Sequence, residues 1–265
     1  MVAICNGIEN NQLDLLWDLH YVKMEFAVNM TCEGCVKSVK NSLQGVDGVK
    51  SVDVNLGTDQ VIIESTLTSK QIQSLIEKTG KTAVLQGYGS LNQTPLESGV
   101  VELNTGDNKI QGVIRLVQSN PSKCIIDGTI DGLPKGRHRL FIHELGDVSQ
   151  GCDSCGDILG RLSPETEKPM GDIGEIDVAA NGRADFRLTN ERLKVWDMIG
   201  RSIVVHQGSQ EGLIPKIQKK LSCGIIARSA GLFQNSEKKI CTCDGVTIWE
   251  ERYVPAAGVG RKSKI

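Results

Sequence analysis

The sequence has few aromatic side chains, which make up 4% of its 265 residues, and it has no long run of apolar residues. A helix that crosses a bilayer needs about 20 consecutive apolar residues, so the sequence predicts no membrane span. It also lacks an excess of positive charge, since its formal net charge is −2, and this argues against nucleic acid as a partner. The first residues lack the basic start and apolar centre of a signal peptide, because Glu9, Asp14 and Asp18 interrupt them. We therefore expect a cytoplasmic protein.

Glycine and cysteine, in contrast, are abundant, with 29 and 9 residues respectively. Many glycines beside few aromatic residues indicate β structure with many turns rather than a helical bundle. The length suits two domains better than one. In a reducing compartment a cluster of cysteines indicates metal or redox chemistry, and an odd number leaves at least one thiol unpaired.

The most informative motif is Met30-Thr-Cys-Glu-Gly-Cys35. It follows an alternating strand pattern and precedes a helical pattern, so Cys32 and Cys35 are predicted on an exposed loop at a helix N-terminus. The partial positive charge of that terminus favours thiolates, which are soft ligands that select soft ions such as Cu(I). Two sulfurs without a local third or fourth ligand suit an ion in transit better than a closed tetrahedral zinc site. The alternative is an exposed or redox-active thiol pair.

Five segments are predicted along the chain. Residues 1–22 form an N-terminal extension, and residues 23–87 follow the order strand, helix, strand, strand, helix, strand, which is typical of an α+β ferredoxin-like sandwich. Residues 88–99 have the composition of a linker. Residues 100–230 contain many short strands between turn residues, which predict an all-β Greek-key sandwich or barrel. Residues 231–265 are polar and predict a flexible C-terminal tail.

The tail contains Cys241 and Cys243, which are separated by one residue. This spacing is too tight for an unstrained local disulfide in most backbones. The pair can bind Cu(I), or one thiol can attack a disulfide while its neighbour resolves the intermediate. A fortuitous pair of free thiols is the alternative.

Residues 23–87 resemble the heavy-metal-associated domains of copper chaperones and copper ATPases, on the strength of Met30, Cys32 and Cys35. The resemblance implies that the two sulfurs bind Cu(I). It also implies that Met30 packs beneath the loop and does not bind the metal.

Residues 100–230 resemble Cu,Zn superoxide dismutase in five segments that occur in the family's order, namely Gly132–Asp147, Gly151–Gly156, Met170–Gly174, Ile199–His206 and Leu221–Gly224. By this resemblance Cys152 and Cys223 fall on the positions of the family's intrasubunit disulfide.

The metal ligands of that family are mostly missing. Of the copper ligands only His143 and His206 remain, because Phe141 and Ile158 stand where the enzyme has a ligating and a bridging histidine. Of the zinc ligands only Asp172 remains. We therefore expect structural roles for the two histidines, no zinc in this domain and no superoxide dismutase activity.

Together, a heavy-metal-associated domain, an incomplete dismutase-like domain and a Cys-x-Cys tail resemble the family of copper chaperones for superoxide dismutase, from Lys23 onward. The resemblance implies a metallochaperone, not an enzyme, which delivers Cu(I) to newly made Cu,Zn superoxide dismutase and promotes its disulfide. Cys241 and Cys243 would carry the thiol-disulfide chemistry or the copper transfer. The dismutase-like domain would form a heterodimer with the target, and a homodimer of the free chain stays open. The expected interface residues are Val101, Leu103, Ile199, Gly200 and Ile225.

Two other function classes are considered. An active dismutase fused to a metal-binding domain conflicts with the missing histidines and with Lys220, which stands where the enzyme has its catalytic arginine. A general thiol-disulfide oxidoreductase is suggested by Cys152-x-x-Cys155 and by the tail, but no segment resembles a thioredoxin pattern. The sequence does not indicate the copper donor.

Overall fold

The computed structural model describes residues 21–89, 97–161, 168–208 and 219–235, together with Thr247 and Trp249. An α+β domain precedes a domain of two β-sheets, which confirms the predicted fold class. The predicted tail cysteines Cys241 and Cys243 and most of the N-terminal extension lie outside the described residues. Within the described ranges no helix is both long enough and apolar enough to cross a membrane.

The first domain has the predicted order of strands and helices. Its elements are β1 (Val22–Val28), α1 (Glu33–Leu43), β2 (Val49–Asn55), β3 (Gln60–Ser65), α2 (Ser69–Glu77) and β4 (Ala83–Gly89). The four strands form an antiparallel sheet in the order β2-β3-β1-β4. Alternate apolar residues of β1, among them Met24 and Phe26, are fully buried in the core with Val39 of α1 and Ile72 of α2.

By sequence Ser69 is a plausible N-cap of helix α2, because serine is a preferred capping residue, but the helix begins one residue earlier in the structure. Thr68, not Ser69, is the N-cap, because its side chain accepts a hydrogen bond from the backbone N–H of Gln71 at 3.1 Å. The backbone N–H of Thr68 in turn donates to Oε1 of Gln71 at 2.9 Å. This capping box leaves the Ser69 side chain free for a contact outside the helix.

The second domain is a sandwich of two antiparallel sheets. Its elements are β5 (Ser98–Leu103), β6 (Thr105–Gly106), β7 (Gln111–Asn120), β8 (Lys123–Asp131), β9 (Gly136–His143), β10 (Ser149–Cys152), β11 (Asp172–Val178), β12 (Ala184–Asn190), the short helix α3 (Val195–Met198), β13 (Ser202–Gln207), β14 (Lys220–Ile225) and β15 (Ala227–Arg228). One sheet has the order β12-β8-β7-β5-β15 and the other β11-β9-β13-β14-β6. In the part of the chain that the structure describes, the two sheets stay open and do not close into one barrel.

The predicted linker is shorter than its composition suggests. Strand β4 continues to Gly89 and strand β5 begins at Ser98, so strands include both ends of the 88–99 segment. The two domains also pack on each other, because Val117 of β7 and Ile125 of β8 belong to the apolar cluster of the first domain.

Two of the predicted interface residues point into the sandwich. Val101 and Leu103 are each 0% exposed and belong to the core between the sheets. Alternate residues of β5 face the core, while Glu102 between them is exposed. Val101 and Leu103 therefore cannot contact a docked partner directly. Of the predicted interface residues, Ile199, Gly200 and Ile225 remain candidates.

Candidate metal-binding and docking sites

The loop between β1 and α1 brings the two predicted copper ligands together. Cys32 is the N-cap of α1, and its carbonyl accepts the backbone N–H of Cys35 at 2.9 Å. The two Sγ atoms are 3.4 Å apart. Cys32 is exposed, whereas Cys35 is 6% exposed and lies at the edge of the core. An ion can therefore approach from solvent on the Cys32 side and contact both sulfurs.

Met30 lies below this loop. It is 5% exposed and belongs to the same apolar cluster as Cys35. Its backbone N–H donates to Oδ1 of Asp59 at 3.3 Å, which fixes the start of the loop. The thioether is thus part of the core that supports the two thiols.

The surroundings of Cys35 favour its thiolate. Hydrogen bonds from the Thr31 backbone and then from the Thr31 side chain, with smaller contributions from Lys81 and Cys32, lower the pKa of Cys35 to about 6. The Thr31 Oγ1 atom lies 3.6 Å from Cys35 Sγ. At neutral pH Cys35 is therefore mostly ionised, which is the form that binds soft metal ions.

We expect the alkylation of Cys35 by iodoacetamide to follow a pH profile with its midpoint at about 6, since only the thiolate reacts and it predominates above the pKa. Replacing Lys81 with methionine should move the midpoint upward, because it removes one of the groups that lower the pKa. Peptide mass spectrometry can follow Cys35 separately from Cys32. The matched control is Lys78→Met, which removes an exposed lysine that does not contribute to this pKa. A midpoint near the ordinary 9.0 in the parent chain would contradict the prediction.

The structure joins Cys152 and Cys223 in a disulfide across 71 residues. It links the end of β10 to β14. Because closing a loop of this length lowers the conformational entropy of the unfolded chain, the disulfide raises the free energy of unfolding by about 4 kcal/mol. Cys155 is a free thiol with 0% exposure in the same cluster. Cys124 is also free, and burial raises its pKa to about 12, so it behaves as a small apolar side chain.

His143 and His206 form a hydrogen-bonded pair. Their Nε2 atoms are 3.0 Å apart, and His143 Nδ1 lies 2.9 Å from the Gly156 carbonyl oxygen. A carbonyl only accepts, so His143 carries its proton on Nδ1 and its Nε2 accepts from the Nε2–H of His206. Burial is the main cause that lowers the pKa of both residues, and that of His206 falls to about 3. Both rings are therefore neutral and satisfied by each other.

The other residues at positions that the enzyme uses for metal ligands or catalysis also contact groups of this protein. The Phe141 ring packs edge-on against the His206 ring, with centroids 4.9 Å apart. Asp172 accepts both Nε (3.0 Å) and Nη2 (2.6 Å) of Arg139, and its pocket is closed to solvent because Asp172 is 1% exposed. Lys220 donates to the Cys152 carbonyl at 3.0 Å. Among the described residues no three His, Cys, Asp or Glu side chains are grouped to hold a metal ion. The described residues at the family's ligand positions, Phe141, Ile158 and the paired Asp172, therefore do not form the ligand set of a catalytic copper ion.

The three remaining predicted docking residues, Ile199, Gly200 and Ile225, lie near exposed apolar side chains. Gly200 contacts Gly146 so closely that a Cβ at Gly146 would lie 2.1 Å from the Gly200 carbonyl oxygen. Ile225 is 41% exposed beside Gly146, and Ile199 is partly buried. Leu145, which was not among the predicted docking residues, precedes Gly146 in the chain and is 51% exposed, so it is more exposed than Ile225. We call these five residues the apolar patch.

A tryptophan lies close to the patch along the chain. Trp196 of α3 is 45% exposed, three residues before Ile199. The backbone N–H of Ile199 donates to the carbonyl of Val195, which holds the end of α3 against the patch. Exposed apolar side chains at Leu145, Trp196 and Ile225 make this region a candidate for a protein contact site.

The sequence matches two protein families. The heavy-metal-associated domain family matches residues 25–82, and the copper/zinc superoxide dismutase family matches residues 110–226. These matches cover the α+β domain and most of the sandwich, in the order that the structure shows.

Three proteins are similar over nearly their whole length. The copper chaperone for superoxide dismutase of Sus scrofa is 48% identical, and that of Homo sapiens is 47% identical, each over 90% of this chain and 92% of the relative. The superoxide dismutase 1 copper chaperone of Saccharomyces cerevisiae is 31% identical over 86% of this chain and 92% of the relative. The chain therefore belongs to the family of copper chaperones for superoxide dismutase.

Proposed function

We propose that this protein carries Cu(I) on Cys32 and Cys35, delivers it to Cu,Zn superoxide dismutase in the cytoplasm and promotes formation of the target's intrasubunit disulfide. The observation that carries the proposal is the pair of sulfurs 3.4 Å apart on a loop where Cys35 has a pKa of about 6. Cu(I) is the cargo, and two thiolates hold it with few ligands so that it can be passed on. The donor of the copper is not identified.

The sandwich domain supplies the docking surface in this proposal. Its patch offers exposed Leu145 and Ile225 beside the close backbone contact between Gly146 and Gly200. Such an area suits the self-complementary dimer face of a protein with the same fold, so the chaperone would replace one subunit of the enzyme dimer. The same face allows a homodimer of the free chain.

Cys241 and Cys243 are assigned to the chemistry on the target. Cys152 does not serve this role, because it is bonded to Cys223, and Cys155 is 0% exposed. A thiol that attacks a disulfide, or receives copper, must be accessible. This also argues against a general oxidoreductase centred on Cys152-x-x-Cys155.

The test of this proposal combines the copper-loaded chain with reduced superoxide dismutase that contains zinc but no copper. We expect a heterodimer by size-exclusion chromatography with light scattering, followed by recovery of dismutase activity. Replacing Ile225 with aspartate places a charge in the apolar patch and should weaken the complex at least tenfold, since a desolvated unpaired charge costs several kcal/mol. Glu102→Asp, a change at an exposed residue of strand β5 in the other sheet, is the control. Activation by the Ile225→Asp chain at the parent rate would contradict the assigned docking face.

We expect no superoxide dismutase activity from the chain itself, even with copper and zinc supplied. Phe141 and Ile158 are apolar side chains at two ligand positions, and Asp172 is already paired with Arg139. A cytochrome c reduction assay compares the chain with an authentic dismutase at equal concentration. Turnover near that of the authentic enzyme would support the alternative of an active dismutase fused to a metal-binding domain.

A further inference from the structure

After the last strand of the sandwich, the chain returns to the α+β domain. Strand β15 ends at Arg228, and the segment Gly231–Asn235 then lies along β4 of the first domain. Gln86 Nε2 donates to the Asn235 carbonyl at 3.2 Å, and Asn235 Nδ2 donates to the Gln86 carbonyl at 3.3 Å. This reciprocal pair fixes the end of the segment to the edge strand of the sheet.

The middle of the segment binds a buried carboxylate. Glu25 of β1 is 0% exposed, and its Oε2 atom accepts the backbone N–H of Phe233 at 2.5 Å. Its other oxygen accepts Nε2 of Gln60 at 2.6 Å. Burying a carboxylate costs free energy unless hydrogen bonds satisfy it. The bonds from Phe233 and Gln60 therefore account for a buried glutamate on a central strand of this sheet.

Two glycines make room for the segment. Gly87 and Gly89 are alternate residues of β4 and so face the same side of the sheet. A Cβ at Gly89 would lie 2.6 Å from the Leu232 side chain, and a Cβ at Gly87 would lie 2.8 Å from the Gly231 carbonyl oxygen. The groove therefore depends on the absence of side chains at both positions.

The backbone of the segment adopts a conformation that the contacts must hold. Phe233 has a φ of 65°, in the left-handed region that a bulky residue rarely adopts. The Gly231 N–H donates to the side-chain oxygen of Gln234 at 2.9 Å, which closes the turn. Strained residues persist where several contacts over-determine them, which indicates a defined binding mode.

We propose that Gly231–Asn235 is a strap, which fastens the start of the C-terminal segment to the heavy-metal-associated domain and so couples the Cys-x-Cys motif to the copper-binding domain. Five residues separate Asn235 from Cys241, a length of chain that can span at most roughly 20 Å, and the strap fixes Asn235 beside Gln86. The strap is also not far from the copper loop. Thr82, just before β4, accepts the N–H of Asn29 beside that loop, and four residues of extended chain, about 14 Å, separate Thr82 from Gln86. A short tether raises the effective concentration of the tail thiols near that loop.

The strap is separate from the contacts that hold the two domains together. Asp127 of β8 accepts the Ser69 N–H at 2.8 Å and the Tyr88 hydroxyl at 2.5 Å, and it caps helix α2 from the other domain. Arg187 of β12 donates to the carbonyls of Ser65 and Leu67. The domain interface should therefore survive when the strap is released, and docking of the sandwich on a partner should survive as well.

The experiment measures hydrogen–deuterium exchange of the peptide that contains Phe233 in the full chain. Gly87→Ala places a methyl group against backbone and should accelerate exchange at least tenfold. Gly89→Ala should also accelerate it, but Leu232→Ala should rescue this variant because it removes the side chain that the new methyl group meets. Leu232→Ala should not rescue Gly87→Ala, whose clash is with the Gly231 carbonyl oxygen. Equal exchange in the parent and Gly87→Ala chains, or equal effects of Leu232→Ala on both glycine variants, would overturn the strap.

The functional part of the inference rests on the proposed function and is tested separately. Gly87→Ala should activate superoxide dismutase several-fold more slowly at limiting concentration, while it binds Cu(I) and the target as the parent does. Unchanged activation, despite faster exchange at Phe233, would overturn the coupling role. If the parent chain itself fails to activate the target, the proposed function fails, and the exchange data still decide whether the strap exists.

Discussion

Replacing both Cys32 and Cys35 with serine should reduce Cu(I) binding by the α+β domain from one ion per chain to none. Serine hydroxyls are hard, protonated at neutral pH and poor ligands for a soft ion, whereas the two sulfurs lie 3.4 Å apart with Cys35 largely ionised. The described part of the domain provides no group of three or more His, Cys, Asp or Glu side chains that could replace them. The loss should therefore be complete, because no thiolate remains on the loop to hold the ion against a competing chelator.

The measurement is an anaerobic titration with a chromophoric Cu(I) chelator. Both chains should carry Cys241→Ser and Cys243→Ser, so that the tail thiols do not contribute. Met30→Leu is the matched control, since it keeps a buried apolar side chain of similar volume and should retain one bound Cu(I). If the Cys32→Ser/Cys35→Ser chain keeps the Cu(I) affinity of its parent, or if Met30→Leu loses it, the assignment of the ligands is wrong.

The parts of the fold that the sequence predicted well depend on local patterns. The positions of Cys32 and Cys35 follow from a strand pattern, a turn and a helix start, which are within a few residues of each other. The error of one residue at Thr68 and Ser69 is typical of helix ends, because either residue type can cap. The order of strands in the α+β domain was predicted for the same reason, since hydrophobic alternation sets each strand independently.

The parts that were not predicted depend on contacts between distant segments. Val101 and Leu103 were assigned to an interface, but alternation along β5 turns both side chains into the core. Leu145 and Trp196 were missed, since only the folded structure shows that an apolar residue in a loop remains exposed. Sequence patterns also could not show that Asp127 of one domain caps a helix of the other.

The incomplete metal site illustrates how the sandwich can keep its fold without its ions. Asp172, which stands at a zinc-ligand position of the family, is buried and forms an ion pair with the guanidinium of Arg139. Where copper would separate two imidazoles, His143 and His206 bond directly to each other. Asp172, His143 and His206 thus each have a partner within the protein, so these buried positions are satisfied without a metal ion.

Replacing Cys241 and Cys243 with serine should block activation of superoxide dismutase while leaving heterodimer formation nearly unchanged. Docking requires a folded apolar surface, and the patch on the sandwich provides one without the tail. Formation of the target's disulfide removes two electrons, which dioxygen accepts by oxidising an accessible tail thiol to a sulfenic acid. One target thiolate then forms a mixed disulfide with that sulfur and releases water, and the target's second thiolate displaces the tail thiolate to close the target's own disulfide. The cysteines of the sandwich cannot substitute, because Cys152 and Cys223 are bonded and Cys155 is buried.

The reaction can be followed with reduced, zinc-loaded target and dioxygen as the oxidant. Maleimide gel shifts report the target's thiols, chromatography reports the complex, metal analysis of the separated target reports copper delivery, and an activity assay reports activation. The Cys241→Ser/Cys243→Ser chain should form the complex and leave the target's thiols reduced, with a smaller loss of copper delivery because Cys32 and Cys35 still carry the ion. Thr242→Ala, which changes the residue between the two sulfurs and keeps both thiols, should behave as the parent chain does. If the double-serine chain oxidises and activates the target at the parent rate, the thiol chemistry does not belong to the tail, and another thiol must carry it.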